Sequence, residues 1–262
     1  MSREKDRPVV GMIHLLPLPA SPGWRGSMDE VLERACREAS ILAAEGLDGI
    51  LVENYGDRPF FPGKVPPATV AAMSLAVGEV ARHTRLPVGV NVLRNDAEAA
   101  LAVAVVAGGK FIRVNVHTGS MYTDQGLLQG KAYRTLRQRE HLGAPVAILA
   151  DVLVKHATPP LGLTLESAAR DTFYRGMADG LILSGVETGR PVDPDDLRRV
   201  RHVLPPEAKV WVGSGATLET ARSLANLADG IIVGSAIQVG GEAGRGVDEM
   251  RVRAFMQALG TP

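Results

Sequence analysis

Cysteine is nearly absent from the sequence, which contains one such residue, Cys36, and this excludes several classes of protein. A single thiol cannot form an internal disulfide, and it cannot build a zinc site from several cysteines. Cys36 lies in the stretch VLERACREASILAAEG, whose apolar spacing is typical of a helix. We therefore interpret it as a small buried side chain rather than as a nucleophile.

An excess of charge of either sign is also missing, because 29 Lys and Arg residues balance 29 Asp and Glu residues. This balance argues against a nucleic-acid partner. No apolar run approaches the ~18 residues that a membrane-spanning helix needs. Residues 1–14 contain no apolar segment typical of a secretory signal. Together these absences predict a cytoplasmic protein without membrane insertion.

The sequence does contain a regular alternation of short β-branched runs with segments of helical spacing. The runs are apolar nearly throughout, which is typical of strands buried on both faces of a parallel sheet. They occupy residues 8–14, 48–54, 87–92, 111–116, 146–152, 180–185, 209–215 and 230–236. This pattern predicts an α/β fold, a (βα)8 TIM barrel, as a single domain over residues 1–262. An open doubly wound sheet is the alternative.

Several of the predicted helices begin at recognisable capping residues. Ser27 and Glu30 form a capping box, and Pro194 follows a cap at Asp193. The other expected helix starts are Asn95 with Asp96, Thr164 and Thr217.

Polar residues collect where the predicted strands end, and in a TIM barrel the chemistry takes place at these ends. Phe111, Arg113, Asn115 and His117 share one face if their strand extends that far. Polar side chains facing inward are costly unless they serve a cavity, although a shifted register with Arg113 paired to Glu53 is the alternative. The candidate substrate-binding residues are His14, Asn91, Arg113, Asn115, His117 and Ser184.

Two loops near these strand ends are also candidates for a role in binding. The segment from His117 to about Lys131 is long for a connection between a strand and a helix, and it predicts a lid or binding loop. Tyr55, Phe60 and Phe61 concentrate aromatic rings after the second strand. They fit either a pocket wall or a surface covered by a second copy in a homo-oligomer.

The stretch ADVLVKHA contains the candidate catalytic residues Asp151, Lys155 and His156, and Glu53 ends the second strand. A carboxylate, an amine and an imidazole can perform acid–base chemistry. Glu53, Asp151 and His156 could instead bind a divalent metal ion as cofactor. Lys155 could form a Schiff base if its pKa is lowered, or a structural ion pair.

Glycine and serine end the last two predicted strands, in VGSG and ADGIIVGSAI. The loops after strands seven and eight of TIM barrels frequently bind phosphate, and glycine lets a ligand approach the backbone N–H groups. A helix starting after Thr217, or a short extra helix near Ser235, would add partial positive charge. The expected phosphate-binding residues are Gly213, Ser214, Gly215, Gly234 and Ser235. Glycine in tight turns is the structural alternative.

Long motifs across residues 8 to 258 resemble the BtpA/SgcQ family. They include GMIHLLPLPASP, VENYGDRPF, ADVLVKHATPPL, LESAARDT, LILSGVETG, VGSGAT and ADGIIVGSAI. The resemblance implies a TIM barrel and little chemistry, since the family offers no mechanism that maps onto these residues. Its name implies photosystem I biogenesis for one member, and another is encoded among sugar-phosphate genes. Orotidine-monophosphate decarboxylases are more loosely similar, but Asp151-Val-Leu-Val-Lys155 departs from their Asp-x-Lys-x-x-Asp spacing.

Two functional hypotheses follow from the sequence. The first is an enzyme, an isomerase, a lyase or one that cleaves a glycosidic bond, whose ligand is a small phosphorylated sugar or nucleoside-like metabolite. Under it, an Asp151→Ala change is expected to abolish turnover and leave thermal unfolding nearly unchanged. The second is a non-catalytic assembly factor of the photosystem I biogenesis type, with exposed apolar residues at the barrel rim.

Overall fold

Eight parallel strands close into a barrel in the computed structural model, which describes residues 7–185 and 192–260. The barrel strands are β1 (Val9–His14), β2 (Gly49–Glu53), β3 (Val88–Asn91), β4 (Phe111–Val114), β7 (Ala147–Val152), β8 (Gly180–Leu183), β9 (Val210–Val212) and β10 (Gly230–Val233). They follow this order around the barrel, and β10 pairs with β1. The TIM barrel is therefore confirmed, and the open sheet is excluded. The end of the LILSGVETG motif lies outside the described residues.

A two-stranded antiparallel hairpin, β5 (Ser120–Thr123) and β6 (Gly126–Gln129), fills the long connection after β4. The helices are α1 (Met28–Ala44), α2 (Pro67–Thr84), α3 (Ala97–Ala107), α4 (Ala132–His141), α5 (Leu165–Arg170), α6 (Pro194–Val203), α7 (Ala221–Leu227) and α8 (Glu249–Ala258). None of the helices in the described ranges has the length and apolar character needed to cross a bilayer.

The helix starts agree with the sequence at three positions and differ at two. Ser27, Thr164 and Asp193 cap α1, α5 and α6 through their side chains. Asp96 caps α3, because the amide of Asn95 is engaged in two hydrogen bonds with the backbone of Val116.

No helix starts directly after Thr217, where the sequence predicted one. Thr217 and Thr220 exchange hydrogen bonds between their hydroxyl and backbone N–H groups, which holds the chain in a turn. The helix α7 begins only at Ala221 and has 7 residues. The expected partial positive charge of a helix after Thr217 is therefore not provided at that residue.

The barrel strands alternate between two apolar layers with a period of two residues. Val9 and Ile13 of β1 belong to the layer between the barrel and its helices. Val10 and Met12 point the other way, into the barrel, with Leu51, Phe111, Leu149, Ile182 and Ile232 of the other strands. Because the alternation continues to the strand ends, the residues that follow the inner layer face the barrel mouth.

Candidate active site

A cavity of about 450 Å³ opens at the carboxyl ends of the barrel strands. Its walls combine ionisable, aromatic and glycine-rich segments from most of the barrel units. They comprise Met12, His14, Glu53, Tyr55, Arg58, Phe60, Leu93, Arg94, Arg113, Asn115, Asp124, Gln125, Lys155, His156, Gly213, Ser214, Gly215, Ala216, Gly234, Ser235 and Ala243. The volume lies in the range of small-molecule sites, and the position is the one that TIM-barrel enzymes use.

The inward alternation of the strands explains why polar residues reach this cavity. His14 comes two residues after Met12, and Glu53 comes two residues after Leu51. Both apolar residues belong to the inner barrel layer. The apolar layer therefore closes the floor of the cavity, and the next inward position of each strand supplies its chemistry.

The five glycines and serines expected to bind phosphate all line one side of this cavity. Gly215 has a φ of 76°, a conformation that glycine tolerates best. A Cβ on Gly234 would lie 3.5 Å from Met12 Sδ and 3.9 Å from His14 Cε1, so its absence leaves space at the cavity floor. Glycine is needed at position 213 for a different reason, because a Cβ there would lie 2.1 Å from Ile182 Cγ2. Packing against Ile182 therefore accounts for Gly213, which is a different reason from the tight turn that was the structural alternative for these glycines.

A buried ion pair between Arg113 and Asp151 lies under the cavity. Arg113 Nε and Nη2 donate to the two carboxylate oxygens of Asp151 at 2.9 and 2.8 Å. Asn115 Nδ2 donates to Asp151 Oδ2 at 2.9 Å, and Ser184 Oγ donates to Oδ1 at 3.3 Å. Burial by itself would lower the pKa of Arg113, but the charge of the neighbouring Asp151 carboxylate outweighs this effect. The pKa of Arg113 is therefore raised above its ordinary value. Arg113 is thus ion-paired, but to Asp151 rather than to Glu53.

Asn115 lines the cavity and carries an unpaired hydrogen-bond acceptor. Its Nδ2 is committed to Asp151, so its Oδ1 is fixed in the opposite orientation. This buried oxygen has no hydrogen-bond partner among the described residues. Because buried polar atoms are nearly always paired, an unpaired oxygen on a residue of the cavity wall is a candidate acceptor for a ligand.

Glu53 and His14 form a second polar group at the mouth. Asn91 Nδ2 donates to Glu53 Oε2 at 2.6 Å, and His14 Nε2 lies 3.5 Å from Glu53 Oε1. The backbone N–H of Gly244 donates to His14 Nδ1 at 3.1 Å, so the ring proton of neutral His14 is on Nε2, toward Glu53. Burial lowers the pKa of His14, against the opposing charge of Glu53. A carboxylate held by a neutral imidazole is suited to proton transfer.

Lys155 reaches the cavity from the loop after β7. Its Nζ donates to Ser214 Oγ at 3.4 Å. Burial, together with the nearby charge of Arg113, lowers the pKa of Lys155 to about 8, although Glu53 and Asp151 act in the opposite direction. His156 also lines the cavity, with a φ of 56°. Lys155 therefore contacts the glycine-rich side of the cavity through Ser214, and it lies within electrostatic reach of the acidic residues Glu53 and Asp151.

The aromatic loop and the hairpin contribute the outer walls. Tyr55 stacks on His14 with ring centroids 4.4 Å apart, and Arg58 lies 4.3 Å from the Tyr55 centroid. Phe60 lines the cavity, while Phe61 is 48% exposed. Asp124 and Gln125, at the tip of the hairpin, close the opposite wall. The long loop after β4 thus reaches the cavity as a hairpin tip.

Four of the candidate residues lie behind the cavity walls rather than in them. Asp151 and Ser184 are engaged with Arg113, and Asn91 supports Glu53. His117 lies farther away, because β4 ends at Val114 and the alternation that would turn the side chain inward does not continue. Its Nε2 hydrogen-bonds the carbonyl oxygen of Gly176 at 2.9 Å, and burial lowers its pKa. The structure therefore corrects the expected cavity position of His117.

The expected metal ligands are not assembled. In residues 7–185 and 192–260, no three His, Cys, Asp or Glu side chains approach closely enough to hold a metal ion. Asp151 faces the guanidinium of Arg113 instead of Glu53 and His156. The set Glu53, Asp151 and His156 therefore does not fit a divalent cation in this arrangement.

Several site residues were missed by sequence reasoning. Arg58, Asp124 and Gln125 come from loops, where no strand alternation indicates a direction. Gln238 is fully buried and lies 2.7 Å, through Nε2, from His14 Nδ1. It follows a short 3-10 turn after β10, so its role is visible only in the folded chain.

Comparison with known proteins places the chain in a family. The sequence model of the BtpA family matches residues 5–261. The chain belongs to the BtpA family. It is 49% identical to the Photosystem I biogenesis protein BtpA of Synechocystis, over 98% of this chain and 89% of that protein. It is 42% identical to an uncharacterized protein of Pyrococcus abyssi, over 90% of each chain.

Solved structures similar to this BtpA-family chain include two enzymes with low sequence identity. Thiamine phosphate pyrophosphorylase from Pyrococcus furiosus superposes with a TM-score of 0.60 at 14% identity, covering 98% of this chain and 96% of that chain. Phosphoribosyl anthranilate isomerase from Thermus thermophilus has a TM-score of 0.57 at 11% identity, covering 97% and 98%. At these identities the likeness establishes the TIM-barrel fold alone.

Proposed function

We propose that this chain is an enzyme whose substrate is a small phosphorylated sugar or nucleoside-like metabolite. The supporting observation is the cavity itself, in which the residues after β9 and β10 share the walls with Glu53 and Lys155. Ser214 and Ser235 offer hydroxyl groups, and Gly215 and Gly234 leave the backbone accessible. These groups are suited to a phosphate at the position where TIM barrels commonly bind one.

The remaining polar groups then have distinct roles around the bound metabolite. Glu53, oriented by His14 and Asn91, is the acid–base residue. Asn115 Oδ1 accepts a hydrogen bond from a substrate hydroxyl. Asp151 is a positioning residue, since it acts through Arg113 and Asn115. This arrangement of a carboxylate and an amine favours isomerase or lyase chemistry over simple binding.

The experiment that tests this proposal is thermal unfolding with a panel of sugar phosphates and nucleoside monophosphates, each compared with its unphosphorylated counterpart. A ligand at a hundred times its Kd stabilises a protein by about 2.7 kcal/mol, which a shift in Tm readily detects. We expect stabilisation only by phosphorylated compounds, and a smaller shift in a Ser214→Ala and Ser235→Ala double variant. Equal shifts with the unphosphorylated counterparts, or none with any compound, would refute the proposal.

A second candidate is a non-catalytic assembly factor that binds a protein partner. The observation that favours it is the identity of 49% to a protein named for photosystem I biogenesis. Exposed apolar side chains also lie near the cavity rim: Tyr122 and Leu127 of the hairpin are 57% and 49% exposed, and Leu161 is fully exposed. This candidate predicts that Leu127→Ser weakens partner binding, whereas Ser214→Ala does not. Pull-down from an extract with the two variants separates the candidates.

A further inference from the structure

Lys155 occupies a position between the two chemically different sides of the cavity. Leu153 and His156 have positive φ values of 52° and 56°, so the backbone turns on both sides of this residue. The turn brings the lysine side chain into the cavity wall, with Nζ 3.4 Å from Ser214 Oγ. A ligand phosphate bound by the loops after β9 and β10 would therefore place its next carbon atoms beside this amine.

The surroundings of Lys155 increase the fraction of the neutral amine relative to that of an ordinary lysine. Arg94 and Arg113, two further cations, line the same cavity. Burial first, and then the charge of Arg113, lower the pKa of the lysine to about 8 from the usual 10.5. At neutral pH this shift increases the neutral, nucleophilic fraction about 300-fold over that of an ordinary lysine.

We propose that Lys155 forms a Schiff base with the carbonyl carbon of a phosphorylated aldehyde or ketone. This inference rests on the proposed function, because the phosphate positions the carbonyl. It narrows the substrate class to compounds with a free carbonyl near the phosphate.

The step balances with groups that line the cavity. The lone pair of the amine attacks the carbonyl carbon, a C–N bond forms, and the C=O π electrons move to the oxygen, which is protonated. The amine nitrogen then loses a proton to give a neutral carbinolamine. Its hydroxyl takes up a proton and leaves as water, while the nitrogen lone pair forms the C=N bond of the protonated imine. Glu53 is the group placed to exchange these protons, with His14 Nε2–H beside its carboxylate. The imine cation withdraws electrons from the adjacent carbon, which facilitates cleavage of a C–H or C–C bond.

Reductive trapping tests this proposal directly. The intact protein is incubated at pH 8 with glyceraldehyde 3-phosphate and sodium cyanoborohydride, and the adduct is located by peptide mass spectrometry. We expect modification of Lys155 at least tenfold faster than that of the exposed lysines Lys64, Lys110 and Lys131. Inorganic phosphate is expected to slow the reaction at Lys155 alone, and Lys155→Arg is expected to abolish it.

The controls separate the covalent step from phosphate binding. Unphosphorylated glyceraldehyde is expected to modify Lys155 at least tenfold more slowly than the phosphate ester. If glyceraldehyde 3-phosphate raises the Tm of both the wild type and Lys155→Met but leaves no adduct on Lys155, the Schiff base is refuted and the proposed function stands. Equal labelling of Lys155 and the exposed lysines likewise overturns the covalent proposal. If both aldehydes modify Lys155 equally fast, its amine is reactive and the phosphate-directed substrate class is wrong.

Discussion

The Asp151→Asn variant is expected to lose much of the stability of the barrel, in contrast to the expectation from sequence that changes at Asp151 leave unfolding unaffected. The carboxylate accepts two hydrogen bonds from Arg113, one from Asn115 and one from Ser184, in a buried environment. Removing its charge leaves the Arg113 guanidinium buried without an anion. Breaking one side of a buried pair costs about 3–5 kcal/mol, because the remaining charge is uncompensated.

Urea unfolding followed by tryptophan fluorescence measures this loss, since Trp211 lies on β9 beside the barrel interior. Thermal unfolding gives a second readout. At this chain length a loss of 1 kcal/mol lowers the Tm by roughly 2–4 °C, so a decrease in Tm on the order of 10 °C is expected. Glu79→Gln is the matched control, because it removes one negative charge from an exposed pair with Arg82 and should change stability by less than about 1 kcal/mol. An Asp151→Asn variant as stable as this control would refute the reasoning.

Two further predictions concern packing and pH. A Cβ on Gly89 would lie 2.1 Å from the Phe111 ring, so Gly89→Ala should cost about 1–3 kcal/mol in urea unfolding. Gly63→Ala, where a Cβ meets nothing within 4 Å, should be nearly neutral, and equal effects would contradict the packing argument. Burial lowers the pKa of His14, so the folded state favours its neutral form, and stability should fall as the pH drops below the unfolded value of about 6.5. Unfolding free energies between pH 7 and 5 should show a shallower slope in His14→Gln, and an unchanged slope would contradict this assignment.

The fold could be predicted because each barrel unit carries its signal locally. A run such as GIIV in β10 is apolar on both faces, and only a parallel sheet covered by helices buries both. The caps at Ser27, Thr164 and Asp193 are equally local, since each side chain bonds a backbone N–H within three residues. Asn95 was misjudged because its partner, Val116, lies in the next barrel unit.

The sequence by itself determined the barrel, the face on which the site lies and most of the residues near it, because strand alternation and strand ends are local properties. Only the tertiary structure decided which of these residues contact each other. It paired Asp151 with Arg113, left Glu53 with His14 and Asn91, and removed His117 from the cavity. The physical reason is that the period of a strand determines a side chain's direction, whereas its neighbours come from other strands brought together by barrel closure.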